Sequence, residues 1–214
     1  MNIVIFGPPG AGKGTQSDFI VKKFKLFQLS TGELLRKEIK NQTHLGQKIS
    51  GIMNSGHLVS DQIVSDLIEK FISNKKYKNR FIFDGYPRNK IQAENLNNLL
   101  KKYNQKIDLV LKLSVSLDVI KKRITGRSVC SICGKIYNEF FNPAPTNADC
   151  CAPKFLRKRS DDTLDIAINR FKTYEKNIEP VTDFYKQYNL FNIINGEGSI
   201  SKISDEIRAL LESI

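Results

Sequence analysis

The run Ile3-Val4-Ile5-Phe6 and the segment Gly7-Pro8-Pro9-Gly10-Ala11-Gly12-Lys13-Gly14-Thr15 behind it constrain this chain more than any other stretch. Four consecutive apolar residues entering a glycine-rich turn read as a buried strand. The glycines let the backbone wrap a polyphosphate with its N–H groups pointing inward. Gln16-Ser17-Asp18-Phe19-Ile20 continues as a helix whose first turn offers unpaired N–H groups and the positive end of a dipole. Lys13 adds a mobile cation. Strand, loop and helix together form a phosphate cradle, and a nucleotide is the ligand class that it fits.

From Gly7 to Gly12-Lys13 the spacing is that of a P-loop, but Gly14 stands where that pattern has Ser or Thr, and Thr15 follows one place later. With the hydroxyl displaced, Mg²⁺ is expected to be held mainly by phosphates and water.

A chain of 214 residues with 40% hydrophobic content can bury a substantial core, so one compact domain with one or two inserted subdomains is expected. The N-terminus enters the first strand at Asn2 without a signal-peptide pattern. No apolar run approaches the roughly 20 residues of a membrane span, and the expected location is the cytoplasm, with no membrane partner. A net charge of +12 invites a nucleic-acid reading. The lysines, however, are spread in pairs such as Lys22-Lys23, Lys75-Lys76 and Lys101-Lys102, which suits solvated faces, and small anionic substrates account for the rest.

Strand-like and helix-like periodicities alternate along the chain, the pattern of an α/β fold with a parallel sheet covered by helices on both sides. After the cradle come strands at 26–29, 80–84, 107–113 and 190–194, giving five in all. Residues 30–59 read as small helices joined by breaks at Gly46, Gly51 and Gly56, an insertion beside the sheet. Arg80-Phe81-Ile82-Phe83-Asp84 ends a buried strand in a carboxylate, and Gly85-Tyr86-Pro87-Arg88 breaks the chain where ligands of open α/β sheets bind. Ser116 is expected to cap a helix on which Arg123 and Arg127, four apart, share a face. Between Gly126 and Arg159 cysteines, prolines and aromatics replace the helical period, marking a second insertion. Ser160-Asp161-Asp162 is expected to begin a long helix bent or broken near Pro180, and the stripe Ile200, Ile203, Ile207, Leu210, Leu211, Ile214 a core-facing terminal helix.

Read together, Gly7 to Thr15, Ser30-Thr31-Gly32-Glu33-Leu34-Leu35-Arg36, Phe83-Asp84-Gly85-Tyr86-Pro87-Arg88, Arg123, Arg127, Arg159-Ser160-Asp161-Asp162 and Arg170 resemble the adenylate kinases in order and spacing over essentially the whole chain. The resemblance implies the P-loop nucleoside monophosphate kinase fold: a core of 1–29, 60–125 and 160–214, an AMP-binding domain at 30–59 and a lid at 126–159. It implies a monomer acting on ATP, AMP and ADP, which moves the γ-phosphoryl group of ATP to AMP. Lid closure over ATP would exclude water and so suppress hydrolysis.

Phosphoryl transfer needs in-line positioning and cations facing the moving group. Lys13, Arg88, Arg123, Arg159 and Arg170 are the candidate cations, since guanidinium forks match phosphate oxygens. Asp84 is the candidate outer-shell anchor for hydrated Mg²⁺. By resemblance, Arg36, Arg88, Arg159 and Arg170 serve the AMP phosphate side, with Thr31, His57-Leu58-Val59, Gly85-Tyr86-Pro87 and Gln92 around AMP. Gln92 is suited to hydrogen-bond an adenine edge. The ATP side comprises Gly10, Ala11, Gly12, Lys13, Gly14 and Thr15 with Arg123, and the resemblance places Arg127, Ile136, Tyr137 and Gly198 near the ribose and base. Asp161 and Asp162 are expected to orient arginines, and His57 is given no acid–base role.

Cys130-Ser131-Ile132-Cys133, then Cys150 after sixteen residues, fits most of a two-knuckle zinc pattern. Zinc-bearing lids of the resembled family carry Cys or Asp three places after the third cysteine, where this chain has Pro153. Cys151, Asp149 or water is left as the fourth ligand of a structural Zn²⁺, and two adjacent ligands demand a strained turn. Two rival readings stand beside the kinase: a nucleoside monophosphate kinase of other base specificity, and a zinc-ribbon P-loop protein that binds nucleic acid. The second leaves Asp84 to Arg88 and the spaced arginines without a purpose.

Overall fold

The computed structural model describes residues 1–55, 57–146 and 150–214. In chain order the elements are β1 (Ile3–Phe6), α1 (Lys13–Phe24), β2 (Phe27–Ser30), α2 (Thr31–Lys40), α3 (His44–Asn54), α4 (Asp61–Ile72), β3 (Phe81–Asp84), α5 (Lys90–Lys102), β4 (Leu109–Ser114) and α6 (Leu117–Thr125). They continue as β5 (Arg127–Cys130), β6 (Ile136–Asn138), β7 (Leu156–Arg157), α7 (Leu164–Lys186), β8 (Phe191–Asn195) and α8 (Ile200–Glu212).

Five strands form one parallel sheet in the order β2-β3-β1-β4-β8, flanked by helices. The strand side chains alternate between two cores, as period 2 requires. Val4, Phe6, Leu29, Phe81, Phe83 and Val110 pack on one face with α4, α5 and part of α7; Ile3, Ile5, Ile82, Leu109 and Leu111 pack on the other with α1, α6 and α8. Each fully buried branched side chain is worth roughly 1.5–3 kcal/mol relative to exposure. The chain leaves β1 towards β3 and β2 on one side and β4 and β8 on the other. The strand order therefore reverses beside β1, and the register Ile5↔Asp84 brings the cradle and Asp84 to the same end of the sheet.

Several local expectations are corrected. Gly46 and Gly51 lie inside α3, and the chain breaks ahead of that helix at residues 41–43, with Thr43 Oγ1 accepting from Gly46 N at 3.0 Å as the N-cap; Gly56, the third expected break, lies outside the described residues. Gly46 is there for packing: a Cβ on it would stand 2.1 Å from the Glu38 carbonyl oxygen. α6 ends at Thr125, so Arg127 falls in β5 and shares no helical face with Arg123. α7 begins at Leu164 with Thr163 as its cap, because the Asp161 and Asp162 carboxylates are taken up by arginines. Pro180 is accommodated within α7, which runs unbroken to Lys186. In α8 the inward stripe is Ile203, Ile207 and Leu211 with Leu210 partly buried beside it, whereas Ile200 at the start of the helix and Ile214 beyond its end are exposed. Ser30 and Ser116 occupy N-cap positions without a side-chain cap bond.

A smaller antiparallel sheet, β6-β5-β7, forms within residues 127–157; Cys130 ends β5, and Cys133, Cys150 and Cys151 lie in turns outside its strands. Among the described residues no helix is long and apolar enough to cross a membrane.

Candidate active site

The loop after β1 turns through left-handed conformations at Gly10 (φ 82°) and Gly12 (φ 97°). A Cβ at Gly10 would meet the Ile124 side chain at 2.9 Å, so this turn needs glycine twice over. Gly12 is the N-cap of α1, and the N–H groups of its first turn open onto a cavity of about 410 Å³. Lys13 Nζ donates to the carbonyls of Gly7 (2.7 Å) and Pro8 (3.0 Å). Burial pulls the Lys13 ammonium down to about 8; Asp84 opposes this, while Arg88, Arg170 and Arg127 reinforce it.

The guanidinium groups converge on the same cavity. Arg88 follows the cis Tyr86-Pro87 peptide at the end of β3, and its Nε donates to Gly85 O at 2.7 Å. Burial, then Arg170, lowers Arg88 to about 10; burial, then Arg127 and Arg36, does the same to Arg159. Arg36 is also shifted down by burial. Like charges buried together raise each other's energy, and an incoming polyanion relieves that repulsion. Two carboxylates order the cluster: Arg170 pairs with Asp161 at 2.6 Å, and Arg127 is held by both oxygens of Asp162, with Nε to Oδ2 at 2.8 Å. Burial pushes the Asp161 carboxyl up, but Arg170, Arg36 and Arg127 together outweigh it and hold it below its ordinary value.

Asp84 is buried beside Lys13, with one oxygen accepting from Gln28 Nε2 at 3.1 Å. It lines the cavity as a hard oxygen donor among cations, the chemistry that suits an outer-shell anchor for hydrated Mg²⁺.

Gly10, Ala11, Gly12, Gly14, Thr15, Arg123, Arg127, Ile136, Tyr137 and Gly198 all line this cavity, together with Arg159. Arg123 has a distinct environment. Its NH1 donates to Ala11 O (3.0 Å), its NH2 to Gly196 O (2.7 Å), and the guanidinium lies 5.4 Å from the Phe141 ring centroid. Phe141 and Asn138 also border the cavity, and the sequence reading missed both. The aromatic pair Phe140-Phe141 inside the second insertion was the available signal.

A second, smaller cavity is lined by Thr31, Arg36, His57, Leu58, Val59, Gly85, Arg88, Gln92 and Arg170. Thr31 Oγ1 donates to Gly85 O at 2.9 Å. His57 is exposed. The Tyr86 side chain belongs to the hydrophobic core, and Pro87 borders a third, apolar recess. Arg36, Arg88 and Arg170 line both the large and the small cavity.

The four cysteine sulfurs lie within 4.8 Å of one another, with Cys130–Cys150 at 3.8 Å, Cys133–Cys151 at 3.3 Å and Cys150–Cys151 at 3.4 Å. A metal–sulfur bond of about 2.3 Å in a tetrahedron sets sulfurs about 3.8 Å apart, so the donor set fits a structural zinc. Cys151 reaches the cluster with φ 75°, the strained turn that two adjacent ligands require. Asp149, the rival fourth ligand, lies outside the described residues.

The adenylate kinase family profile matches residues 5–190. The chain belongs to the adenylate kinase family. It is 48% identical to the adenylate kinase of Pelagibacter ubique over 212 residues, covering 99% of this chain and 100% of that protein. Against the adenylate kinase of Methanothrix thermoacetophila it is 40% identical, covering 99% and 98%, and against that of Listeria innocua 37%, covering all of both chains. These adenylate kinase matches favour a phosphotransferase over a zinc-ribbon nucleic-acid-binding module.

Proposed function

We infer that this member of the family catalyses reversible transfer of the γ-phosphoryl group of ATP to AMP, giving two ADP. The observation that carries the reading is the junction of the two cavities at Arg36, Arg88 and Arg170. Cations shared between two phosphate sites stand where a phosphoryl group would pass in line from one nucleotide to the other. An AMP phosphate oxygen forms the new bond to the γ-phosphorus, and the bond from that phosphorus to the β–γ bridging oxygen breaks, releasing ADP on both sides.

In this reading the large cavity takes ATP. The backbone from Gly10 to Thr15 holds its phosphates with Lys13, which exchanges its bonds to Gly7 and Pro8 for phosphate oxygens. Arg88, Arg159 and Arg170 spread positive charge over the equatorial oxygens of the moving group. Arg127, fixed by Asp162, joins the phosphate side. Arg123, whose NH1 and NH2 serve two backbone carbonyls, offers its flat face to the base next to Phe141 and Gly198. The small cavity takes AMP, its phosphate on Arg36 and Arg88 and its base near Thr31, Val59 and Gln92. Mg²⁺ bound with ATP would neutralise phosphate charge and hold the chain of phosphates in one geometry, with Asp84 ordering its waters.

Residues 126–159 act as the lid and 30–59 as the AMP-binding domain on a core of 1–29, 60–125 and 160–214. The four cysteines hold one Zn²⁺ that stiffens the lid without touching phosphates. Family resemblance supports a monomer, and the cytoplasm is the location proposed for it. The test is ADP formation from ATP, Mg²⁺ and AMP, with CMP, UMP and GMP as rival acceptors; a preference for another acceptor would move the base specificity, and no acceptor-dependent turnover would overturn the reading.

A further inference from the structure

Gln92 lies in the first turn of α5 and is 2% exposed, and its side-chain amide is held at both ends. Oε1 accepts from the backbone N–H of Arg88 at 2.7 Å, and Nε2 donates to Asp61 Oδ1 at 2.5 Å. The same carboxylate receives Asn89 Nδ2 on both oxygens, at 3.2 and 3.1 Å, while Asn89 Oδ1 caps α5 by accepting from Gln92 N at 2.8 Å. Asp61 is the first residue of α4, so one side chain joins the start of that helix to the start of α5.

We propose that Asp61 is a positioning residue that locks the Gln92 amide in one orientation and thereby sets the base preference of the monophosphate site. The proposal rests on the reading of the small cavity as the AMP site. An ionised carboxylate only accepts hydrogen bonds and a backbone N–H only donates. Rotating the amide by 180° would set its oxygen against Asp61 and its NH₂ against the Arg88 N–H, exchanging two bonds for two repulsions in a buried site. The locked amide keeps a second N–H and a second Oε1 lone pair, which match the N1 acceptor and N6 amino donor of adenine. Hypoxanthine presents the reverse pattern, a 6-oxo acceptor and an N1–H donor, and needs the forbidden orientation. Asp61 is not among the residues lining the cavity, so it acts through Gln92.

Asp61→Asn tests this with little change of shape, because an amide at 61 can donate or accept and so permits both orientations of Gln92. The measurement is kcat and KM for AMP and for IMP, with KM for ATP and the melting temperature followed alongside. The expected result is a fall of about tenfold in the AMP:IMP ratio of kcat/KM, with KM for ATP unchanged. Asp61→Ser, which also can donate or accept, is expected to lower the ratio in the same direction. A ratio unchanged in both variants, whatever happens to the melting temperature, would show Asp61 to be a structural tie only and overturn the proposal. Failure of the underlying reading looks different: the wild-type protein would show no preference for AMP over IMP, or Gln92→Leu would leave that preference intact, and either result removes the lock along with it.

Discussion

Lys13 Nζ lies 2.7 Å from the Gly7 carbonyl oxygen, folding the cation of the cradle back onto its own loop. Its carbonyl partners carry only partial charge, while burial and neighbouring arginines hold its affinity for the proton down to about 8. A nucleotide phosphate supplies the full counter-charge that these carbonyls lack.

Binding of ATP should therefore raise the Lys13 pKa and take up protons above pH 8. The contribution of Lys13 to affinity is fully present below the free-state value of about 8 and is lost as pH rises through the higher value in the complex. Titration calorimetry at pH 8.5 in buffers of different ionisation enthalpy should show uptake of on the order of half a proton. Lys13→Ala should abolish it, and a buffer-independent enthalpy in the wild-type protein would contradict the assignment.

Arg123 and Phe141 make a prediction about chemistry rather than charge. If the guanidinium plane carries the base, Arg123→Lys, which keeps the charge and loses the plane, should raise KM for ATP nearly as much as Arg123→Ala, on the order of tenfold, with kcat little changed. Rescue of KM by lysine would instead make Arg123 a phosphate contact.

Gly46 tests the packing of α2 on α3. A Cβ there would stand 2.1 Å from Glu38 O, a backbone atom that cannot swing away. Gly46→Ala should cost about 1–3 kcal/mol and lower the melting temperature by several degrees. Gly51→Ala, where a Cβ meets nothing within 4 Å, should be neutral or stabilising.

The architecture was legible because the strands are apolar runs and the helices carry clear apolar stripes. Gly46 was misread because glycine breaks a helix in isolation, yet here the missing Cβ lets two helices touch. The start of α7 was misplaced for a similar reason. Ser160, Asp161, Asp162 and Thr163 are all good caps, and only the pairing of Asp161 with Arg170 and of Asp162 with Arg127 leaves Thr163 for the task. The candidate site residues lay in local motifs and could be named. Asp61 could not, because its role depends on Asn89 and Gln92, 28 and 31 positions away.

The cysteine cluster should hold about one zinc per chain as purified, measured by elemental analysis. Cys151→Ser should reduce zinc content and lower the melting temperature, as should Cys133→Ser. Full zinc occupancy in Cys151→Ser would exclude Cys151 as the fourth ligand.

The most direct test of the reaction is ADP formation from ATP and Mg²⁺ with AMP as acceptor, comparing the wild-type protein with Arg88→Ala. AMP-dependent turnover that falls by about 10²–10³ in the variant, with its melting temperature retained, is the predicted result. Equal turnover in the variant would remove Arg88 from the reacting groups, and absence of AMP-dependent turnover in the wild-type protein would contradict the account as a whole.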